Sequence, residues 1–348
     1  MAGIEVKGAV LMTLRSGRSS RTVFAVLVAG LTLAGCSGGS TSSDPKPVQP
    51  TARSTTLPVS AKALTAPKVV VTRDLGLKVI GSFGHQPSVR PSTATPPTAI
   101  TLQVLKAGAG PKVALGQVLI ANYQIRTWGS SKVKPVVVDD SFTRGMPIAA
   151  IVGAGQVLKN WDGAVIGQTV GSRVLVTLPG DANAASAGAT PTTGRLVTRS
   201  ATGPPMLAVI DIVAALSKDT AADGVKVTVK TGAGLPSVRS EPGQRPEVTS
   251  VSGIKQTAPI SQLLLDGTGA AIDTGRTLVL QVIQVDATTS KTVSQTWGGT
   301  PILLRADQLL PTVHALTGSR VGSRALAVVP ASGKGHAQVL VIDVISQV

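Results

Sequence analysis

The stretch from Gly153 to Arg173 reads GAGQVLKNWDGAVIGQTVGSR and decides the fold class of the chain. Glycine recurs along it around a single tryptophan, Trp161, and most other positions are small or aliphatic. The pattern predicts a short helix at about 158–166, and the apolar run 172–178 that follows predicts a buried strand. The glycines lack the spacing and the long helix of a dinucleotide-binding loop, so that kind of site is not indicated.

The composition around this stretch favours strands joined by turns. Of the 348 residues, 43% are hydrophobic and 14% are charged, so the chain can bury a core, and its length corresponds to about two domains. Only 2% are aromatic, whereas glycine (38) and proline (23) are abundant, which is typical of short strands and many turns. Strands are predicted at 116–125, 172–178, 206–213, 277–285, 323–329 and 338–345, with a second short helix at about 309–316. Strands around one short helix predict antiparallel α+β domains.

An internal repeat divides the chain. Short pieces recur in the same order: Pro87–Arg90 as Pro236–Arg239, Gly108–Gly110 as Gly267–Gly269, Val170–Arg173 as Val321–Arg324, and Val209–Ile212 as Val341–Val344. Units of roughly 130–150 residues indicate paired globular domains, since solenoid repeats are shorter. We therefore predict one domain at 67–217 and a second at 218–348, joined near residues 217–224.

The quoted stretch, with Tyr123, Asp139–Ser141 and Arg144–Pro147 upstream in the same order, resembles the FK506-binding-protein (FKBP) family of peptidyl-prolyl cis-trans isomerases. The resemblance covers nearly all of the first predicted domain and, through the repeat, more faintly the second. It implies two tandem FKBP-like domains of the α+β class, each an antiparallel sheet curved around one short helix. It also implies isomerisation of X–Pro bonds in proline-containing polypeptides, a reaction that needs no cofactor.

What the resemblance implies for the site is an apolar pocket in the first domain. Its catalytic residues would be Tyr123 in a wall, Asp139 as the polar wall residue, and Trp161 as the floor. Its substrate-binding residues would be Val138, Arg144, Ile148, Val157, Leu158, Asn183 and Ile210, with Arg144 orienting the aspartate. Three of these stand where the family commonly has phenylalanine (Val138, Ile148 and Ile210), and Asn183 stands roughly where it has a tyrosine. The alternative is that the tryptophan and tyrosine only pack the core and that the aspartate belongs to a turn.

The second domain departs further from the family pattern. Val282 and Val313 stand at the positions of the first domain's tyrosine and tryptophan, and Pro311 interrupts the predicted helix. Neither Asp286 nor Asp307 occupies a convincing position for the wall carboxylate. We therefore expect activity in the first domain only, and a second domain that is structural or binds peptide.

The N-terminal segment predicts export. An arginine-rich region (15–21) precedes an apolar run (23–33) that is shorter than the roughly 20 residues needed to cross a bilayer. Leu33-Ala34-Gly35-Cys36 follows and resembles the bacterial lipobox, in which the cysteine is lipidated; the alternative is a free buried cysteine. Residues 1–35 are thus predicted to be a lipoprotein signal peptide and residues 36–66, rich in Ser, Thr and Pro, a disordered tether. Lipidated Cys36 would hold the protein on the extracytoplasmic side of the cell membrane.

Charge and cysteine content exclude other classes. Lys and Arg number 33 against 17 Asp and Glu, a net charge of +16, but these charges are scattered and not interleaved with aromatics, so no nucleic-acid partner is predicted. One Cys and three dispersed His favour neither a disulfide framework nor a metal site, and no cofactor is expected. Three functions stay open: an isomerase that assists the folding of exported proteins, a non-catalytic module that binds peptide, partner or wall polymer, and a purely structural lipoprotein. The oligomeric state is left open.

Overall fold

A computed structural model describes residues 64, 66–90, 95–129, 133–157, 161–180, 204–228, 235–251, 254, 257–331 and 336–348. The predicted signal peptide, Cys36 and nearly all of the predicted tether lie outside these ranges. Within them, no helix is long and apolar enough to cross a membrane.

Two similar sets of strands follow each other along the chain. The first half contains β1 (Val70–Thr72), β2 (Val79–Ile80), β3 (Ser88–Val89), β4 (Thr101–Lys106), β5 (Val118–Thr127), β6 (Val137–Asp140), β7 (Ile148–Ile151), β8 (Arg173–Leu178) and β9 (Met206–Leu216). The second half contains β10 (Val225–Lys226), β11 (Ser237–Arg239), β12 (Glu247–Ser250), β13 (Ile260–Asp266), β14 (Thr277–Asp286), β15 (Thr292–Gln295), β16 (Ile302–Arg305), β17 (Arg324–Val329) and β18 (Gln338–Gln347). The short helices are α1 (Ser141–Arg144), α2 (Trp161–Ala164) and α3 (Ala306–Leu309), with a 3₁₀ turn at His314–Leu316.

Each half builds a seven-stranded sheet of the same topology. The first has the order β1-β4-β8-β9-β5-β6 and the second the order β10-β13-β17-β18-β14-β15, while β7 pairs with β5 and β16 with β14. All pairs in these sheets are antiparallel except β1 with β4, which is parallel. The expectation of purely antiparallel sheets is wrong at this edge, because the β2–β3 hairpin separates β1 from β4 and gives the chain room to return in the same direction.

The predicted single helix per half is also corrected. In the first half, α2 lies inside the predicted 158–166, but α1 is a second helix that the sequence analysis did not predict. In the second half, the predicted helix at 309–316 is replaced by α3 and the 3₁₀ turn, with Pro311 between them. Proline has no N–H to continue the helical ladder, so the helix ends before it.

The two faces of the first sheet bury different clusters. Alternation along β8 and β9 sends Val174, Val176 and Ile210 to the face where Tyr123 and Trp161 lie. The opposite face carries the intervening Leu175, Leu207 and Val209, which pack with Leu77, Val89 and Trp128. The β2–β3 hairpin and its approach thus cover the back of the sheet, and the other face carries the buried cluster that contains Tyr123 and Trp161.

Buried ion pairs stabilise the turns of the β2–β3 and β11–β12 hairpins. Arg173 on β8 bonds Asp211 on β9 at 2.6 and 2.7 Å and also donates to the carbonyls of Gly81 and His85 in the β2–β3 turn. In the second half, Arg324 and Asp343 repeat the pair and hold the β11–β12 turn. The recurring Val-Gly-Ser-Arg pieces therefore mark equivalent positions.

One piece of the predicted repeat does not mark equivalent positions. Ser88 and Val89 form the second strand of their hairpin, whereas Ser237–Arg239 form the first strand of theirs. Val89 instead corresponds to Val248, which also lies on the second strand, and the recurrence of Pro-Ser-Val-Arg is coincidental.

The two sheets contact each other through equivalent strands. Ile120 of β5 and Val279 of β14 share one buried cluster, and each occupies the same place in its ladder, opposite Ala149 in β7 and Leu303 in β16. Each half therefore contributes the equivalent region of its own sheet to the apolar contact between the halves.

Candidate active site

Three predicted site residues form one hydrogen-bonded group in the first half. Tyr123 on β5 donates its hydroxyl proton to Asp139 Oδ2 on β6 at 2.6 Å. Arg144 at the end of α1 donates to the Tyr123 hydroxyl at 2.9 Å and forms an ion pair with Asp139. The guanidinium carbon also lies 5.5 Å from the centre of the Tyr123 ring, within cation–π range. Arg144 therefore lies beside Asp139, and its role in orienting that carboxylate for a ligand stays a prediction.

Helix α1 places Arg144 close to β6. Asp140 caps it by accepting from the backbone N–H of Phe142 and Thr143 at 2.9 and 3.3 Å. Gly145 ends it in the left-handed region, with φ of 66°, which glycine adopts at no steric cost. Four residues thus suffice to place a cation beside the carboxylate five positions upstream.

Trp161 forms the apolar part of the site. It opens α2, is fully buried, and its ring centre lies 5.8 Å from that of Tyr123 at an interplanar angle of 45°. Its indole Nε1 is buried and has no acceptor among the described residues. An unpaired buried donor costs free energy, but Trp297 Nε1 in the second half is also buried without an acceptor among the described residues, so this feature does not by itself mark a site.

Electrostatics keep the Tyr123 phenol and the Arg144 guanidinium protonated. Burial raises the pKa of the Tyr123 phenol, and its hydrogen bond to Asp139 raises it further. Burial lowers the pKa of Arg144, but the Tyr123 hydroxyl and Asp139 outweigh that effect and raise it overall. Tyr123 therefore stays a hydrogen-bond donor at physiological pH, and the cation is balanced by one carboxylate. The group can polarise and orient a ligand, but it offers neither a strong base nor an activated nucleophile.

The remaining predicted residues divide into three groups. Val157, Ile148 and Ile210 are buried in the same apolar cluster as Tyr123 and Trp161. Val138 lies outside that cluster and is 39% exposed on β6. Leu158 and Asn183 fall outside the described residues.

The sequence analysis missed the residues that support Asp140. Gln86, in the β2–β3 turn, donates to Asp140 Oδ2 at 2.6 Å and to the Thr143 hydroxyl at 3.1 Å. Gln124 donates to the same carboxylate oxygen at 3.1 Å. No local signal marks Gln86, because it lies 54 residues before its partner. The hairpin on the back of the sheet is therefore connected to the helix that carries Arg144.

Asp140→Asn is expected to lower the free energy of unfolding by about 1–2 kcal/mol at pH 7. An amide nitrogen would replace the acceptor that faces Gln86 and Gln124. Burial raises the pKa of Asp140, but these donors and Thr143 outweigh it and hold the pKa below the ordinary 3.8. A lowered native pKa gives stability that is present above pH 3.8 and is lost as the pH falls through the native value.

Urea unfolding at pH 7 and at pH 3 measures this difference. The gap between wild type and variant should shrink at the lower pH, and Asp74→Asn, at an exposed aspartate, should change little at either pH. A gap of equal size at both pH values would contradict the assignment.

The described residues of the second half do not form the equivalent group. Val282 receives the same backbone support as Tyr123, since its N–H donates to the Thr296 hydroxyl as that of Tyr123 donates to Ser141. Two residues before Thr296, at the place of Asp139, stands Ser294. Val313, which the sequence analysis placed at the position of Trp161, is fully buried.

The carboxylates considered for the second half are engaged elsewhere. Asp286 bonds His336 at 2.7 Å, and Asp307 bonds Arg305 at 2.8 Å. Across the described part of the chain, no three His, Cys, Asp or Glu side chains group as metal ligands.

Comparison with known proteins identifies the family. Residues 110–200 match the family described as FKBP-type peptidyl-prolyl cis-trans isomerase. An FK506-binding protein of Streptomyces anulatus is 30% identical over 95 residues, covering 27% of this chain and 73% of that protein. The peptidyl-prolyl cis-trans isomerase FPR2 of Saccharomyces cerevisiae is 41% identical over 51 residues, covering 15% of this chain and 38% of that protein. The chain belongs to the FKBP-type peptidyl-prolyl cis-trans isomerase family.

Among solved structures, the three FKBP domains of wheat FKBP73 match with 12% identity and a TM-score of 0.27. That match covers 72% of this chain and 94% of the wheat chain. The family assignment rests on the match at residues 110–200 and on the Streptomyces anulatus relative.

Proposed function

We propose that the first half catalyses cis-trans isomerisation of X–Pro bonds in polypeptides, and that the second half does not. The observation that carries the proposal is the closed group of Tyr123, Asp139 and Arg144 beside the buried ring of Trp161. Apolar Val157 and Ile210 complete the surroundings. Such a site can hold a proline ring on an apolar floor with polar groups at one side.

The chemistry needs little more than this. Rotation about an X–Pro bond faces a barrier of about 18–20 kcal/mol and breaks no covalent bond, so neither nucleophile nor metal is required. An apolar pocket removes water from the imide and weakens the resonance that opposes rotation. Donors that favour the twisted amide lower the barrier further. A thousandfold acceleration requires only about 4 kcal/mol.

An isomerase assay on the intact chain tests the proposal. A proline-containing tetrapeptide is followed at about 10 °C, where the uncatalysed exchange takes minutes. Micromolar protein should accelerate the exchange in proportion to its concentration. A rate equal to that of the peptide alone would refute catalysis, and saturable binding of the same peptide without acceleration would favour the non-catalytic binding module. The non-catalytic binding module is a second candidate because Ile148 and Ile210 are aliphatic at positions where the family commonly has phenylalanine.

We further propose that this activity serves exported proteins at the membrane. The support is the signal-like sequence before Cys36 and the Ser, Thr and Pro-rich segment after it. Radiolabelled palmitate supplied to a bacterium expressing the full sequence should label the protein, and Cys36→Ser should abolish that label. Equal labelling of both forms would refute the anchor.

A further inference from the structure

A four-residue turn at residues 153–156 follows β7 and lies within the candidate site. Val152 before the turn and Val157 after it are both fully buried, and both belong to the apolar cluster that contains Trp161. Val157 is also one of the predicted substrate-binding residues. The conformation of this turn therefore affects where a wall of the proposed pocket lies.

Two side chains hold the backbone of this turn. Gly153 and Gly155 have φ of 83° and 65°, a region that glycine enters at no steric cost, so these residues do not restrict the backbone by themselves. The Gly153 N–H donates to Asp162 Oδ2 at 2.8 Å. The Ile151 N–H donates to Gln156 Oε1 at 2.7 Å and closes the turn.

The second half bonds to the same amide oxygen. The Thr300 hydroxyl donates to Gln156 Oε1 at 3.2 Å, although 144 residues separate the two in the chain. Thr300 stands two residues before β16, after a turn in which the Gly299 N–H donates to the Thr296 carbonyl at 2.9 Å. Gln156 thus joins the turn of the first half to a structured segment of the second.

A buried apolar contact fixes the distance that this bond spans. Ile151 at the start of the turn and Leu303 of β16 both pack against one cluster that the two halves share, which consists of Val118, Ile120 and Val279. Gln156 itself is exposed, and a hydrogen bond between exposed side chains contributes little where their backbones move independently. Here the apolar contact holds both backbones in place. Trp297 packs in a different cluster and takes no part in this contact.

We propose that the second half positions the isomerase site of the first: Thr300, acting through Gln156, holds the turn at residues 153–156 so that Val157 stays in place in the pocket wall. This role rests on the proposed isomerase activity of the first half. Thr300 and Gln156 are positioning residues, since they act through the turn and not on the substrate. The second half, whose described residues form no equivalent of the Tyr123 group, thereby contributes to catalysis by its neighbour.

Substitutions at Thr300 in the full chain test the proposal. Thr300→Val removes the hydroxyl and keeps the shape of the side chain, and it should lower kcat/KM for a proline-containing peptide about threefold, mainly through a higher KM. Thr300→Ser keeps the hydroxyl and should retain the wild-type values. Thr292→Val, at an exposed threonine of the same half, should also retain them. An unchanged KM in Thr300→Val, or an equal rise in Thr300→Ser or Thr292→Val, would overturn the role of the hydroxyl.

A double-mutant cycle tests whether Thr300 acts through Gln156. Gln156→Met removes the shared acceptor and also releases the Ile151 N–H, so it should lower kcat/KM by at least as much as Thr300→Val. In the Gln156→Met background, Thr300→Val should have no further effect, because the bond it would break is already absent. Losses that multiply in the double variant would mean that the two residues act independently, contrary to the proposal.

Hydrogen exchange separates this role from isomerase activity, because it needs no substrate. Exchange into residues 148–157 is followed by mass spectrometry in the wild type, Thr300→Val and Thr292→Val. Thr300→Val should speed exchange of the Ile151 and Gly153 amides about threefold, and Thr292→Val should not. A wild type without isomerase activity would refute the proposed function, whereas unchanged exchange in Thr300→Val would refute the support of the turn even in an active enzyme.

Discussion

Replacing Trp161 with Leu is expected to lower kcat/KM for a proline-containing peptide by at least about tenfold, a loss of roughly 1.4 kcal/mol of transition-state stabilisation. The indole ring is fully buried beside Tyr123. In the proposed site it would provide the flat apolar surface on which a proline ring lies. Leucine keeps the site apolar but removes this surface and the buried N–H. The measurement is the isomerase assay on wild type and variant, after circular dichroism has established that both are folded.

Trp297→Leu is the matched control. Trp297 is 7% exposed and packs in the core of the second half with Val251 and Ile283. Its loss should reduce stability by a similar amount and leave isomerase activity unchanged. If both substitutions lowered activity equally, Trp161 would be a packing residue and the proposed pocket would be wrong.

Arg173→Met is expected to lower the free energy of unfolding of the first half by about 3–5 kcal/mol. The substitution leaves Asp211, whose side chain is 0% exposed, as a buried charge without its partner. The carbonyls of Gly81 and His85 lose their donor at the same time. Urea unfolding measures the change, and activity should fall at lower urea concentration because the same turn carries Gln86 to Asp140.

Two further variants test the cause of that loss of stability. Arg239→Met breaks an exposed pair with Glu247 and should change stability by no more than about 0.5 kcal/mol. The double variant Arg173→Met with Asp211→Leu removes both charges and should recover much of the stability. A double variant as unstable as the single one would mean that the arginine acts through its size rather than its charge.

The sequence placed three of the candidate site residues together more readily than it predicted the elements around them; their roles in a site stay a prediction. Tyr123, Asp139 and Arg144 could be assigned because they follow a family pattern with fixed order, and they do form one hydrogen-bonded group. The long strands were visible as apolar runs bounded by glycine or proline. Helix α1 was missed because four residues held by a cap and a glycine look like a turn in sequence.

Contacts between segments that are far apart in the sequence could not be predicted, for a different reason. The donation of Gln86 to Asp140 and the parallel pairing of β1 with β4 join segments whose sequences carry no mark of each other. The equivalence of Val285 in the second half to Arg126 in the first became visible only through the strand register. The recurrence of Pro-Ser-Val-Arg was misleading because a match of four residues does not determine which strand positions of the two halves are equivalent.

Fluorine NMR of the protein labelled with 5-fluorotryptophan tests the central claim most directly. The chain has three tryptophans, Trp128, Trp161 and Trp297, so each resonance can be assigned by a single substitution. Titration with a proline-containing tetrapeptide should shift the resonance of Trp161 in a saturable manner and leave the other two in place. A resonance of Trp161 that does not move while the peptide is isomerised, or a shift confined to Trp128 or Trp297, would contradict the account.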